Sequence, residues 1–456
     1  MVAIAHLLAP ATIPNTPDSL SILSYNILLP NSVDAWWTYK MYSPPLSESD
    51  RYVGDWEYRR TLLEKRIGVV DADVVCFQEV SPTSFEDDFA FMEDLGYDGV
   101  ELFRKGRFRP ATFWKTKKCK LAAPAAHKDR TLLTSFVLNN ECNEEEQENN
   151  NNNEPWFVLN CHLQAGKEGK RRVQQLEKGM KAIITMANKL DVKDPKKNAR
   201  AIVCGDFNGG AECGAVRFLE DGYIDSTFLE DGEDVTSKRK ELFAPLQDVI
   251  TSIDRDPPQT LVVPELISQM VQEGSNGYEN PVLAEKVIER LTKIYQERAT
   301  LLVDDSSTEK QMSIQDVEKW LIVINGRLKR GDEYREAARQ MGWTRPDNTK
   351  DMPYDQLKLL ITPPSDGILS LEGFIAVYQK ELTSGKFWGI HHDLAVLGQP
   401  LDDCGTYTAR YDRLYCTSNN LQPTAIIDFV ATEPCPNANE PSDHLPVAAS
   451  FVSKKQ

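Results

Sequence analysis

The sequence has no apolar run approaching the roughly 20 residues that a helix needs to cross a bilayer; its longest candidates are strand-sized stretches such as 131–138. A membrane-spanning helix is therefore excluded. The first stretch, MVAIAHLLAPATIP, lacks the positive n-region of a secretory signal and the Arg- and Ser-rich character of a transit peptide. Residues 1–18 read as a flexible arm, a processed leader being the alternative, and the expected compartment is cytoplasmic or nuclear. Cysteine is present nine times but never at metal-ligand spacing. Cys76, Cys161, Cys204 and Cys416 fall inside β-branched or aromatic runs, where thiols pack as small hydrophobes, and a reducing compartment follows. Positive charge is also short, with 52 Lys and Arg against 69 Asp and Glu and a net charge of −17. General attraction of the whole surface for nucleic acid is thereby excluded, and any steering of a phosphate chain falls to local clusters. Two candidates are Arg104, Lys105, Arg107 and Arg109 with Lys115, Lys117 and Lys118, and the run Lys167, Lys170, Arg171 and Arg172. For any one of these, solvated loop charge is the alternative.

What is present is enough for a substantial core, since 41% of the residues are hydrophobic. At 456 residues the chain exceeds what one core usually organises, so a catalytic domain with a second domain or a large insertion is expected. LSILSYNIL (20–28) alternates and delivers Asn26 at its tip, and ADVVCFQEV (72–80) reads as a buried strand ending at Glu79, with helical spacing between them. TLLTSFVLNN and WFVLNCHL predict paired strands, 167–190 an amphipathic helix, and ARAIVCGDFN a strand ending in polar residues. The segment ECNEEEQENNNNNE between the paired strands cannot bury enough surface to order itself, so 141–154 is expected to be a disordered loop. From about 255 to 388 helical patterns dominate, at 283–299, 314–329, 333–343, 354–361 and 371–383, before strands resume at RYDRLYCTS, TAIIDFVAT and LPVAASFVS. Strands on both sides of the helical block make it an insertion into one domain, because the last strands must return to the first sheet. The expected catalytic domain is 19–254 with 389–453, and the insertion 255–388.

Hydrolysis of a phosphodiester at neutral pH calls for a Lewis acid, a group that orients or deprotonates water, and donors to the nonbridging oxygens. Hard cations take oxygen ligands from carboxylates and amides. Such residues recur at strand ends: Asn26 in SYNIL, Glu79 in FQEV, His162 in NCHL, Asp206 and Asn208 in GDFN, Asp412 in RYDRLY, and Asp443 with His444 in SDHLP. Singly, each has a structural alternative: Asn26 and Asp206 as turn caps, Glu79 as a surface carboxylate, His162 as a satisfied core histidine. Together and in this order, the strings resemble the endonuclease/exonuclease/phosphatase superfamily, over roughly 20–250 and 400–452. SYNIL, NCHLQA and SDHLP are most similar to its carbon catabolite repressor type deadenylases and nocturnin-like enzymes. The chain has no leucine-rich repeat period and no evident adenine-reading segment.

The resemblance implies a four-layered α/β sandwich, two mostly antiparallel sheets facing each other under helices, with an inserted all-α EF-hand-like module. It implies Mg²⁺ or Mn²⁺ on Asn26, Glu79 and Asp443; Asp206 aligning or deprotonating water with help from Asn208; His444 on the phosphate, positioned by Asp412; and His162 on the scissile phosphate. Arg107, Arg109 and Arg172 are candidate substrate contacts. Arg172 and Gln175 resemble the family's Arg-x-x-Gln, Asp248 either a family position or a loop carboxylate, and Asp428 a structural residue. The implied activity is metal-dependent phosphodiester hydrolysis on RNA, of 3′-exonuclease or deadenylase type. A phosphatase or phosphodiesterase for a small metabolite or lipid headgroup is the alternative, and a noncatalytic calcium-linked scaffold a third reading.

Within the insertion two loops partly match the twelve-residue EF-hand pattern. In 305–316, Asp305, Ser307, Glu309 and Asp316 take ligand positions, but Lys310 replaces the turn glycine. In 362–373, Thr362, Pro364 and Gly373 stand where ligands belong, beside Asp366, Gly367, Leu369 and Ser370. Weak Ca²⁺ binding at the first loop is one expectation, and a structural or protein-partner-binding module the other, as in similar plant and algal proteins. Oligomeric state is left open.

Overall fold

A computed structural model describes residues 5–30, 32, 54–106, 108–139, 154–236, 243–251, 258–273, 280–302, 310–402 and 404–454. The expected loop at 141–153, Arg107, and Asp305, Ser307 and Glu309 lie outside the described residues. The chain divides into two compact units, one running to residue 33 and including Asp55–Val263 and Thr406–Gln456, the other including Pro264–Gly405. The second unit thus begins and ends later than the limits 255 and 388, because Ile390, Leu394, Leu397 and Leu401 belong to its core.

The first unit contains two large sheets. One joins β1 (Ala5–Leu8), β2 (Ser19–Asn26), β3 (Val74–Val80), β4 (Gly99–Leu102) and β5 (Arg109–Trp114) with the late strands β12 (Leu421–Asp428) and β13 (Val447–Ser453), in the order β1-β12-β13-β2-β3-β5-β4. The other joins β6 (Cys119–Lys128), β7 (Thr131–Leu138), β8 (Trp156–His162) and β9 (Arg200–Asp206) with β10 (Gln247–Asp248) and β11 (Asp412–Cys416), in the order β10-β11-β9-β8-β7-β6. Pairing is antiparallel except at β1 with β12, β2 with β3, and β8 with β9. Leu20, Ile22, Val74 and Cys76 of the first sheet share one buried cluster with Phe136, Trp156, Val158, Ile202 and Leu414 of the second, so the sheets face each other. Helix α1 (Trp56–Val70) buries Leu63, Ile67 and Val70 on the outer side of the first sheet, and α2 (Gly169–Lys189) buries Val173, Leu176, Met180 and Ile183 on the outer side of the second. These are the expected four layers, and their strands are fully buried where they run between two apolar faces.

The N-terminal segment corrects the reading of a free arm. Ala5–Leu8 pairs in parallel with Ala425–Asp428, and Ile13 is buried among the residues under α1. An unpaired edge on β12 is the physical reason, since its N–H and C=O groups need partners. A polar bridge joins the sheets: the Gln78 amide donates to Asn160 Oδ1 (2.8 Å), and Asn160 Nδ2 donates to the carbonyls of Phe77 (3.1 Å) and Ala111 (2.9 Å).

The second unit is mainly helical: α3 (Glu285–Arg298), α4 (Ile314–Asn325), α5 (Gly331–Gln340), α6 (Leu371–Thr383) and α7 (Phe387–Val396), around Trp320, Phe374 and Tyr378. Helix α4 ends where Gly326 adopts a left-handed conformation (φ 72°), shorter than the spacing to 329 suggests. Met312 and Leu369 exchange both backbone hydrogen bonds as an antiparallel bridge (3.1 and 3.0 Å), joining the two loops that precede α4 and α6. Asp316 forms a capping box with Ser313, and its Oδ2 also accepts from the Thr300 N–H and hydroxyl.

Candidate active site

The strand order brings the carboxylates and imidazoles of both sheets to one edge. β2 ends at Asn26, and β3, its parallel neighbour, carries Glu79 one residue beyond the pairing of Asn26 with Gln78. Opposite them, β8 ends at His162 and β9 at Asp206 in direct register, and β11 begins with Asp412 paired to Asp206. Asp443 and His444 come from the turn before β13. All the residues expected to carry the chemistry, Asn26, Glu79, His162, Asp206, Asn208, Asp412, Asp443 and His444, are therefore at this edge.

The geometry is tight. Asn26 Nδ2 donates to Asp206 Oδ2 at 2.9 Å and lies 3.5 Å from Glu79 Oε1. Asn208 donates to Asp206 twice, from its backbone (2.7 Å) and its side chain (3.0 Å). His162 Nε2 is 3.7 Å from both Glu79 Oε1 and Asp206 Oδ2, while its Nδ1 faces the Phe108 carbonyl at 2.8 Å. His444 Nδ1 is 2.7 Å from Asp412 Oδ2, the carboxylate-to-imidazole contact that fixes a tautomer. Ser442 Oγ donates to the Asn26 carbonyl (2.7 Å) and lies 3.3 Å from Asp443 Oδ1, tying the two chain segments together.

Local backbone is strained at three of these places. Glu79 (φ 66°), Leu28 (φ 52°) and Asn208 (φ 47°) all sit in the left-handed region. At Glu79 the ladder to β5 skips between Phe77 and Val80, a bulge that turns the carboxylate out of the sheet.

The electrostatics follow from crowding. Burial, and then the Asp443 charge, push the Glu79 carboxyl up to about 7, against the Leu29 N–H and His444. Asp206 is raised by burial first, with His444 pulling it down and Asp412 pushing it up. His162 is lowered to about 4, chiefly by burial, and is a neutral ring at pH 7. Burial opposes the charge on His444, yet Asp412, Asp206 and Asp443 hold it well above the usual imidazole range. The site thus combines a cationic imidazole, a neutral one and the four crowded carboxylates of Glu79, Asp206, Asp412 and Asp443, a donor set that suits a hard divalent cation. Asp206, Asp412 and His444 also place one donor each within 4.8 Å of one another. Since Asp412 and His444 are already joined to each other, this trio reads as a hydrogen-bonded pair facing Asp206 rather than an open chelate.

One arginine departs from its sequence reading, and another carries a role the sequence left unmarked. Arg172, a candidate substrate contact, is buried; its guanidinium pairs with Glu230 and donates to the carbonyls of Gln164 (3.0 Å) and Gly166. With Gln175 accepting from the Gln164 N–H (2.9 Å), it braces the turn after His162 and has no free fork for substrate. Arg59, unmarked in the sequence, is fully buried on α1 and donates to the carbonyls of Ile27 (3.0 Å), Leu28 (2.7 Å), Leu29 (3.0 Å) and Pro441 (3.1 Å). It staples the segment after Asn26 to the turn that carries Asp443 and His444. Its one legible signal was a charge at a core-facing helical position. Asp248 is paired with Arg410 at 2.8 Å, a structural use.

A family model described as Endonuclease/Exonuclease/phosphatase family matches residues 23–444. The chain is 28% identical over 249 residues to the CCR4-Not complex 3′-5′-exoribonuclease subunit Ccr4 of Schizosaccharomyces pombe, covering 45% of this chain and 35% of that protein. It is 28% identical over 252 residues to 2′,5′-phosphodiesterase 12 of Mus musculus, covering 50% of this chain and 39% of that protein. The chain thus matches between a third and two fifths of the length of these curated relatives. The crystal structure of ANGEL2, a 2′,3′-cyclic phosphatase, in complex with adenosine-2′,3′-vanadate, superposes with a TM-score of 0.47 at 17% identity, covering 95% of each chain.

Two outcomes are expected. Arg59→Met leaves four carbonyls without their donor and should lower unfolding free energy by about 3 kcal/mol in denaturant titration, with Arg59→Lys restoring only part. In chelator, the raised carboxyl of Glu79 gives stability that is complete below its unfolded value of about 4.3 and is lost as pH rises through about 7. Melting temperature should therefore fall between pH 4.5 and 7.5 in the wild type and fall less in Glu79→Gln.

Proposed function

We propose, from the premise that this chain belongs to the Endonuclease/Exonuclease/phosphatase family, that it is a divalent-metal-dependent phosphodiesterase acting on RNA, of 3′-exonuclease type. The observation that carries the reading is the meeting of Asn26, Glu79, Asp206 and the Asp412–His444 pair, from both sheets, at one edge. Glu79, Asn26 and Asp443 would hold Mg²⁺ or Mn²⁺. When bound, the cation supplies charge for the developing oxyanion and lowers the mutual repulsion of the carboxylates.

The remaining roles belong to the chain. Asp206, held by Asn26 and Asn208 and made more basic by burial, aligns the attacking water and takes its proton. His444, kept cationic by Asp412, donates to a nonbridging phosphate oxygen. His162 has a more specific part. The Phe108 carbonyl can only accept, so Nδ1 carries the proton and Nε2 is an acceptor in the neutral ring. It becomes a donor to phosphate on taking a second proton, which the approaching negative charge favours.

For the insertion we infer an EF-hand-like pair of loops that is structural or partner-binding. The Met312 to Leu369 bridge supports this, since each is the eighth residue of its loop, counted from 305 and 362. Asp316, expected as the twelfth-position calcium ligand, has its Oδ2 taken by Ser313 and Thr300, which favours the structural use over Ca²⁺. Cys76, Cys119, Cys161, Cys204, Cys213, Cys416 and Cys435 are buried thiols, which supports a reducing cytoplasmic or nuclear setting. No helix among the described residues is long and apolar enough to cross a membrane.

Two experiments follow. Bis-p-nitrophenyl phosphate, poly(A), mixed-sequence RNA and nucleotide monophosphates are assayed side by side with Mg²⁺, Mn²⁺ or chelator. Metal-dependent cleavage of RNA is expected, lowered by at least ~10²-fold in Asp206→Ala. Turnover of monophosphates alone would replace the nuclease by a phosphatase, and no turnover at all would leave a scaffold. Titration of the full chain with Ca²⁺ to millimolar levels should leave Trp320 fluorescence unchanged; a saturable change would restore the calcium reading.

A further inference from the structure

Three arginines surround the His162 side of the site without entering the chemistry described above. Arg130 lies in the turn between β6 and β7, and its carbonyl accepts the His162 backbone N–H at 3.0 Å. Arg109 opens β5 directly after Phe108, whose carbonyl faces His162 Nδ1 at 2.8 Å. Arg171 stands in the first turn of α2 beside Arg172, which grips the turn following His162 through Gln164 and Gly166. Each arginine is thus one bond network away from the same imidazole. Arg171 is exposed, and Arg109 and Arg130 are half-buried, so all three reach solvent.

Their surroundings neutralise them only in part, Asp129 favouring the charges of Arg109 and Arg130. Asp129, the adjacent carboxylate, is paired with Lys178 at 3.2 Å. Arg109 reaches only the Asp129 backbone carbonyl, at a long 3.5 Å, and its guanidinium is stacked over Phe103 with 5.0 Å from Cζ to the ring centre. Arg130 is disfavoured as a cation first by burial and then by the charges of Arg109 and Arg171, while Asp129 and Glu79 offset part of this. In a chain with 17 more negative than positive charges, leaving three guanidiniums to repel one another while carboxylates are abundant is a cost that a polyanionic ligand removes. Stacking on Phe103 holds the Arg109 fork in place before any ligand arrives.

We infer that Arg109, Arg130 and Arg171 form a second phosphate subsite, which takes the phosphate next to the scissile one in a nucleotide chain. The subsite rests on the phosphodiesterase reading above, and it selects substrates with at least two phosphates over simple monoesters and diesters. Arg130, closest to His162 by the backbone bond, sets the spacing between the two phosphates. Arg109 and Arg171 close over the far phosphate from β5 and α2.

The test compares the dinucleotide UpU with pUpU and UpUp on the full chain, by Kd in chelator and by kcat/KM with Mg²⁺ or Mn²⁺. One added terminal phosphate should tighten binding about tenfold, as expected for charge-assisted hydrogen bonds, and the end at which it does so gives the direction of the chain across the site. The gain, measured as a ratio within each variant, should vanish in Arg130→Gln and shrink in Arg171→Gln, an exposed position where folding is not at stake; Arg130→Lys should keep part of it. Equal affinity of the wild type for all three ligands, or a gain undiminished in both glutamine variants, would overturn the subsite. A preserved Kd preference without turnover of any ligand would retain the subsite and remove the hydrolytic function. Turnover without preference would do the reverse.

Discussion

The site depends on a buried amide pair. Gln78 on one sheet lies one residue before Glu79 and Asn160 on the other two before His162, and their 2.8 Å hydrogen bond joins the facing sheets beside the apolar cluster. An unmet amide there would cost on the order of 1–3 kcal/mol, so the two strands have one favoured longitudinal offset. Slippage of either strand by one residue would turn the carboxylate or imidazole to the other face of its sheet. Asn26, Glu79, His162, Asp206 and Asp412 lie far apart in sequence, and the offset makes a shared centre of them.

Around that centre the charge is layered. The interior is acidic, with burial and the charges of Asp443 and Asp206 raising Glu79, and the rim on the His162 side carries Arg109, Arg130 and Arg171. Such an arrangement separates two tasks that a uniformly charged cleft would confuse: the acidic interior suits a cation, and the basic rim suits the anion that arrives with it. Arg59 and Arg172 show a third use of positive charge. Both are spent on backbone carbonyls of the turns that hold the chemistry, so a buried guanidinium here works as a multi-pronged clamp.

Much of the fold was legible because strand ends carry distinctive strings. The stretches ending at Asn26, Glu79, His162 and Asp206 form the expected strands to within a few residues. What stayed hidden depends on long-range pairing. Nothing local in AHLL announces that it completes an edge beside Ala425–Asp428. Helix α7, with Phe387 and Ile390 in a short apolar run, cannot be assigned to one unit by periodicity, since it packs on α6 just before it and on α4 far back in the chain. The use of Arg172 was misread for a related reason: a basic residue near a site looks the same in sequence whether it faces substrate or Glu230. Asp316 was similar, a carboxylate at a ligand position whose oxygen instead serves a helix start.

The left-handed backbone at Glu79, Leu28 and Asn208 bears on how such a protein changes over generations. At these places glycine would relax the chain while deleting or loosening the active groups, so folding and chemistry pull in opposite directions. Glu79 and Asn208 therefore keep their side chains at a conformational cost that glycine would not carry. Without a use for the site, a change to glycine at 79 or 208 would ease the backbone and leave the surrounding hydrophobic residues untouched.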